Sequence, residues 1–180
     1  RLVTFLRSAI RTRRTVVIDP YTAFVMHLIH HTCGIHDPHR SQLIRIYYNQ
    51  GFLKSYKRKH QEDVYQRFLR RRVQMQEILA SPQKFLMFFR PAMVEQDFGG
   101  TLPQKCCCLY SYWSGYLDKP QWDGLGDRVA SVGGQFITAH TSGHIFAEDT
   151  SEFLKETKPR VVIPIHTSRP EAFHRLPVQV

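Results

Sequence analysis

Two kinds of hydrophobic pattern follow each other along the chain. Short apolar runs bounded by turn residues are interspersed with longer amphipathic stretches, which is typical of βα units that build a parallel sheet. Several runs show little polar alternation, as expected for strands covered on both faces. The sequence therefore predicts an α/β fold, a largely parallel sheet flanked by helices, with strands at residues 15–18, 44–48, 85–89, 106–112, 135–138 and 161–165.

The longest predicted helix covers residues 61–80 and ends before Pro82, because proline cannot continue a helix. Apolar residues at helical spacing predict its buried face. They are Val64, Phe68, Met75 and Leu79.

A further helix is predicted between the strands at 135–138 and 161–165. Asp149, with Glu152 three residues later, matches a capping box, and Lys158-Pro159 marks the helix end. These elements predict a strand–helix–strand unit. The carboxyl ends of such strands are where α/β sheets commonly place functional sites.

The net charge is +10 and the sequence pI is about 9.7, which favours polyanionic partners, nucleic acid first among them. The first 14 residues contain five arginines and no acidic residue, and they lack an apolar core long enough for a signal peptide or a membrane span. We therefore expect a cytoplasmic protein without membrane contact.

A basic segment runs from Lys54 to Arg72, with eight Lys or Arg against two acidic residues. Aromatic residues lie between the basic ones: Phe52, Tyr56, Tyr65 and Phe68. One interpretation is a groove wall that follows a phosphate backbone, with Lys57, Arg58, Arg70 and Arg71 as phosphate-binding residues. The other interpretation is a solvated helix face, and the sequence leaves both open.

Three of the four cysteines are adjacent, at Cys106, Cys107 and Cys108, in an apolar run. Neighbouring side chains on a strand point to opposite faces, so the triplet is not expected to form one metal site. We expect small buried apolar side chains. Reduced thiols fit a cytosolic protein better than a secreted one.

The clearest candidate chemistry lies in the last 41 residues, which contain four of the ten histidines: His140, His144, His166 and His174. Two of them follow predicted strands closely, and neutral imidazole at such a position suits a divalent metal or a phosphate oxygen. Ser142-Gly143 adds a hydroxyl that can bind phosphate and a backbone that a ligand can approach closely.

The stretch HTSGHIFAEDTSEFLKETKPRVVIPIHTSRPEAF, residues 140–173, resembles the C-terminal signature of β-CASP metallo-β-lactamase-fold nucleases, which include ribonuclease J. Residues 15–26 and 110–117 resemble parts of the β-CASP insert more weakly. By this resemblance His144 faces the scissile phosphate and His166 completes a site for two zinc ions. Thr141, Ser142 and Gly143 are then phosphate contacts.

The resemblance also implies a domain organisation. Residues 1–134 are expected to form a β-CASP-like α/β insert, and residues 135–180 the C-terminal returning segment of a metallo-β-lactamase fold. The family's His-x-His-x-Asp-His motif is absent from this sequence. We therefore expect this chain alone to be inactive and to bind zinc weakly, with the N-terminal metal-binding half as a missing partner. A homo-oligomer is a further open alternative.

The function is expected to be zinc-dependent hydrolysis of RNA or DNA phosphodiesters. The alternatives are a non-catalytic nucleic-acid-binding module and a small-molecule metallo-hydrolase, since fold does not determine function.

Asp19 is interpreted as a turn former. The histidine-rich stretch His30 to His39 is interpreted as a loop, because of Gly34 and Pro38, and not as a metal site.

Overall fold

The computed structural model describes residues 2–60, 62–140, 145–165, 167 and 169–175, apart from the side chains of Lys57 and Arg175. The chain divides into two compact units. The first consists of Arg1–Tyr110 and Ser114–Thr138, and the second of Ser111–Trp113 and Ala139–Val180. The assignment of residues 1–134 and 135–180 to particular family domains stays a prediction.

The protein is an α/β protein with small parallel sheets flanked by helices, as predicted at that level. The elements of the region with the larger sheet are α1 (Leu2–Thr12), β1 (Thr15–Ile18), α2 (Pro20–Cys33), β2 (Ile44–Ile46), α3 (Gln50–Arg58), α4 (Glu62–Arg67), α5 (Met75–Ala80), β3 (Phe85–Met87) and α6 (Met93–Gln96). This sheet has three strands in the order β2-β1-β3, all parallel.

The central strand β1 is buried on both faces. Val16 and Ile18 pack in one hydrophobic cluster and Val17 packs in another, because successive side chains on a strand point to opposite sides. All three are at most 1% exposed. The apolar run without polar alternation therefore predicted this strand correctly.

Helix α2 follows β1 directly and has well-defined ends. The Asp19 carboxylate accepts a hydrogen bond of 2.7 Å from the Thr22 N–H and so caps the helix. Pro20 occupies the first turn, and Gly34 ends the helix in the left-handed conformation at φ 60°. Asp19 is also held by the Arg90 guanidinium at 2.7 Å, so its part in the turn after β1 is structural.

The prediction of one continuous helix over residues 61–80 is wrong. Helix α4 ends at Arg67, a short 3-10 helix spans Leu69–Arg71, and α5 begins at Met75. Between them the chain is extended, and the Val73 N–H donates to the Ile46 carbonyl at 2.9 Å. Phe68 and Val73 are fully buried in different clusters. Pairing along β2 thus overrides the helical periodicity, and Leu79 is 45% exposed.

The second sheet consists of β4 (Cys107–Tyr110) and β5 (Gln135–Thr138), paired in parallel, with α7 (Leu125–Ser131) between them in sequence. Cys108 and Phe136 pack against a hydrophobic cluster that includes residues of α7, and the Tyr110 ring lies against the rings of Trp122 and Phe136. Cys107 is exposed, so the alternation of the cysteine side chains is confirmed, whereas the expected burial is wrong for Cys107.

The predicted strand at residues 161–165 is wrong, because this segment has no strand pairing in the described structure. Helix α8 (Ala147–Thr157) confirms the predicted last helix, but it begins after Phe146, and Asp149 lies inside its first turn. The predicted capping box is therefore wrong. Lys158 ends the helix in the left-handed conformation, as the Lys-Pro signal indicated.

No helix in the described parts of the chain is long and apolar enough to span a membrane.

Candidate functional site

The predicted catalytic segment follows the carboxyl end of β5. This strand is paired with β4 up to the register Tyr110↔Thr138, so the carboxyl ends of the two strands lie side by side. Two residues later His140 is exposed, and its Nδ1 lies 3.2 Å from the Ser111 carbonyl oxygen. A carbonyl oxygen only accepts, so Nδ1 carries the proton in this contact.

Most of the predicted site lies outside the described residues. Thr141, Ser142, Gly143 and His144 follow His140 directly, and His166 follows Ile165. Their assignments as phosphate contacts, catalytic histidine and zinc ligand stay predictions. Their neighbours Ile163 and Ile165 are 77% and 81% exposed, so this segment is not a covered strand.

The basic segment contains two kinds of arginine. Arg58, at the end of α3, and Arg70, in the 3-10 helix, are exposed. Arg71 is half-buried, and its guanidinium donates to the carbonyls of Ser41 and Ile44, the latter at 2.9 Å. This geometry ties Arg71 to the start of β2. Lys57 lies on α3, and its side chain is outside the described atoms.

The aromatic residues of the basic segment pack against one another. The Tyr56 and Tyr65 rings stack at 4.5 Å between centroids, and Phe52 stacks on Tyr56 at 5.8 Å. Phe68 is fully buried. All four belong to the cluster around β1, so their main contribution is to the core, and the basic side chains remain as the phosphate-binding candidates.

A group of side chains that could bind a metal converges where the second half of α2 meets the loop after it. Two of them, Asp37 and His39, belong to the stretch that the sequence interpretation assigned to a plain loop. Donor atoms of His27, Asp37 and His39 all lie within 4.8 Å of one another. In the described part of the chain, one group of three or more His, Cys, Asp or Glu side chains has donor atoms this close together, and it consists of these three residues. The stretch interpreted as a loop is in fact helical up to Cys33. His27 and His30, three residues apart on α2, were the available signal.

Two side chains of this group have shifted pKa values. Burial raises the pKa of Asp37, but hydrogen bonds from the His39 N–H and His27, together with the nearby charges of His30 and His27, outweigh it and leave the pKa below its ordinary value of 3.8. Burial, followed by repulsion from His27, lowers the pKa of His39 below 6.5. At neutral pH the group therefore offers a carboxylate and a neutral imidazole.

Comparison of the chain with protein-family models, curated proteins and solved structures found no match.

Proposed function

We propose that this chain is the C-terminal part of a zinc-dependent metallo-hydrolase that acts on RNA or DNA phosphodiesters. The observation that carries the proposal is the position of the histidine-rich segment. It begins directly after β5, a strand paired in parallel with β4, and leads into α8. Connections at the carboxyl ends of parallel strands are where α/β proteins place their ligands. The resemblance of residues 140–173 to the β-CASP signature supplies the chemistry.

In this proposal His166 is a zinc ligand, and His144 donates a proton or a hydrogen bond to a phosphate oxygen as charge develops on it. The Thr141 and Ser142 hydroxyls bind further phosphate oxygens, and Gly143 allows the close approach of the substrate. When bound by His166 and the ligands of the other half, two zinc ions would stabilise negative charge at the reacting phosphate. The other zinc ligands come from the N-terminal metal-binding half.

The surface proposed to hold the nucleic-acid backbone includes the exposed Arg58 and Arg70, with Lys57 on the same helix as Arg58. Phosphate neutralisation by such residues releases condensed counterions, so binding weakens steeply as salt rises. The net charge of +10 supports the same kind of partner. Arg71, which is hydrogen-bonded to two backbone carbonyls, contributes to this surface mainly by holding the 3-10 helix against β2.

The two histidines provide the test in a protein that contains the metal-binding half. His166→Ala removes a ligand, so zinc content and hydrolysis of a single-stranded RNA or DNA substrate should fall together. His144→Ala should retain zinc and lower the single-turnover rate by about 10²–10⁴-fold, the usual contribution of a positioned acid. The exposed His174 offers a matched control, and His174→Ala should leave zinc content and rate near those of the parent protein.

Three measurements on each variant separate the roles: metal content, melting temperature and single-turnover rate. If both histidines were only structural, both variants would lose thermal stability without a selective loss of turnover. A fully active His144→Ala enzyme would rule out the role assigned to His144. Retention of all zinc by His166→Ala would rule out the ligand assignment.

A further inference from the structure

The end of α2 and the loop after it bring four polar side chains to one place. His27 and His30 lie three residues apart on α2, so they share a face of the helix. Gly34 ends the helix with a left-handed turn, and the chain returns so that Asp37 and His39 meet that face. The Asp37 Oδ1 atom lies 3.2 Å from His27 Nδ1, and its Oδ2 atom lies 3.9 Å from His30 Nε2.

The loop that carries Asp37 and His39 is held by its own hydrogen bonds. The N–H groups of Arg40 and Ser41 donate to the Asp37 carbonyl at 3.1 and 2.9 Å, and the His39 N–H donates to the Asp37 carboxylate at 3.1 Å. Pro38 between them is buried. The Asp37 carboxylate is therefore oriented before any ligand binds, which lowers the entropic cost of binding.

The His39 ring is held by packing. It stacks on the buried Phe68 ring with centroids 4.6 Å apart, and the His27 ring meets it edge-on at 4.7 Å. The side chains of His27 and Asp37 are 27% and 13% exposed. Polar donor atoms thus converge beside an apolar wall, partly shielded from water, which is the usual environment of a metal site.

The position of His30 provides a further geometric observation. Its Nδ1 atom lies 2.6 Å from the His27 carbonyl oxygen. The other ring nitrogen, Nε2, lies 3.9 Å from the Asp37 Oδ2 atom. A backbone carbonyl commonly orients a histidine of a metal site in this way, and here it holds the His30 ring beside Asp37.

We propose that His27, Asp37 and His39 bind one divalent transition-metal ion of the zinc class, with His30 next to the Asp37 carboxylate. Two imidazoles and one carboxylate suit zinc and its neighbours in the first transition row, whereas magnesium and calcium prefer oxygen ligands throughout. Zinc–ligand bonds of about 2.0–2.2 Å place tetrahedral ligands about 3.3–3.6 Å apart. The donors, all within 4.8 Å of one another, reach this spacing by small side-chain rotations.

Such an ion would join the last turns of α2 to the loop that leads into β2. The site differs from the proposed catalytic centre in every residue and does not depend on it. Its expected role is to stabilise the α2–β2 connection, because an ion that binds only the folded chain adds its binding free energy to stability.

The test uses the 180-residue chain after removal of metals by a chelator. Zinc is titrated against a chromophoric chelator, and cobalt(II) is used separately as a spectroscopic probe. In contrast to the weak zinc binding that the missing His-x-His-x-Asp-His motif alone implies, we expect one tightly bound zinc per chain, a rise in melting temperature with zinc, and visible cobalt absorption. His39→Ala should weaken zinc binding by at least about 100-fold, since even the loss of an outer partner of a ligand costs 10–100-fold.

Two controls keep this result specific. His36→Ala removes an exposed histidine of the same loop and should bind zinc as the parent chain does. His166→Ala separates the two proposals, because zinc bound at the proposed catalytic centre is lost with His166, whereas zinc bound by His27, Asp37 and His39 is retained. If His39→Ala does not fold, as judged by circular dichroism, Asp37→Asn and His27→Gln serve as milder variants.

Equal zinc affinity in the parent chain and in all folded variants of His27, Asp37 and His39 would overturn the proposal. So would the absence of zinc binding by the folded parent chain. A loss of binding in His166→Ala alone would assign the bound zinc to the other site and would equally refute this one.

Discussion

The two sheets of this protein were predicted from the same kind of apolar run, yet they are covered differently. In the three-stranded sheet, β1 has Val16 and Val17 at 0% and Ile18 at 1% exposure. In the two-stranded sheet, Leu109 on β4 and Ile137 on β5 are 46% and 41% exposed. In these two sheets the apolar runs located the strands, but they did not tell whether one face or both are covered.

Topology explains this difference. Strand β1 lies between β2 and β3 and has clusters of packed residues on both sides. Strands β4 and β5 pair with each other, and their packed side chains, such as Cys108 and Phe136, belong to a single cluster with α7 residues. The first sheet should therefore carry most of the stability, and the second should tolerate more substitution.

The prediction with the largest expected effect compares the same substitution, isoleucine to alanine, in the two sheets. Ile18→Ala in β1 removes a fully buried side chain from the core and should lower the free energy of unfolding by about 2–5 kcal/mol. Ile137→Ala in β5 should cost about 1 kcal/mol or less, because its side chain remains partly in water. Chemical denaturation of both variants measures the difference. Equal losses would show that the second sheet is covered in solution.

A smaller effect on stability is expected when two neighbouring arginines, Arg71 and Arg70, are compared. Arg71→Gln should cost about 1–3 kcal/mol of stability, because it deprives the half-buried carbonyls of Ser41 and Ile44 of their donor. Arg70→Gln, at an exposed position, should change stability by about 0.5 kcal/mol or less. Thermal melts of the two variants are the measurement.

Substitution of basic residues also tests the nucleic-acid proposal. Replacement of Lys57, Arg58 and Arg70 together by Gln should flatten the dependence of log affinity on log salt for single-stranded RNA, by about 0.7 for each phosphate that is no longer neutralised. Arg71→Gln alone should leave that slope nearly unchanged. An unaltered slope in the triple variant would favour the solvated-face interpretation of the basic segment.

Local signals in the sequence predicted the elements better than their ends or their partners. Strands at 15–18 and 135–138 occur at the predicted residues, because each has adjacent apolar residues at its centre and turn signals nearby. The long helix at 61–80 failed because residues around Val73 pair with β2, a contact between distant parts of the chain. Pairing of this kind is decided by tertiary structure and leaves no local periodicity.

The candidate metal site shows the same limit. Asp37 and His39 lie close in sequence, but their approach to His27 depends on the left-handed turn at Gly34 and on packing against Phe68. Spacing along the chain therefore favoured a plain loop. The helical periodicity of His27 and His30 was available, but their joint orientation toward Asp37 required the fold.

The prediction with the smallest effect on stability concerns the cysteines of β4, where the one-sided cover of the second sheet can be measured directly. Cys107 is exposed, whereas burial raises the pKa of Cys108 to about 11. The thiolate is the reactive form, so at pH 8 only about a thousandth of Cys108 is available for alkylation. Iodoacetamide should modify Cys107 first, and peptide mapping by tandem mass spectrometry distinguishes the two. The alkylation rate of Cys108 should rise about tenfold per pH unit toward pH 11, because each unit raises the thiolate fraction by that factor.

Cys33, which is exposed on a separate helix, serves as the internal control, and in denaturant Cys107 and Cys108 should react alike. Alkylation of Cys108 as fast as Cys107 in the folded chain would mean that this face of β4 is open to solvent.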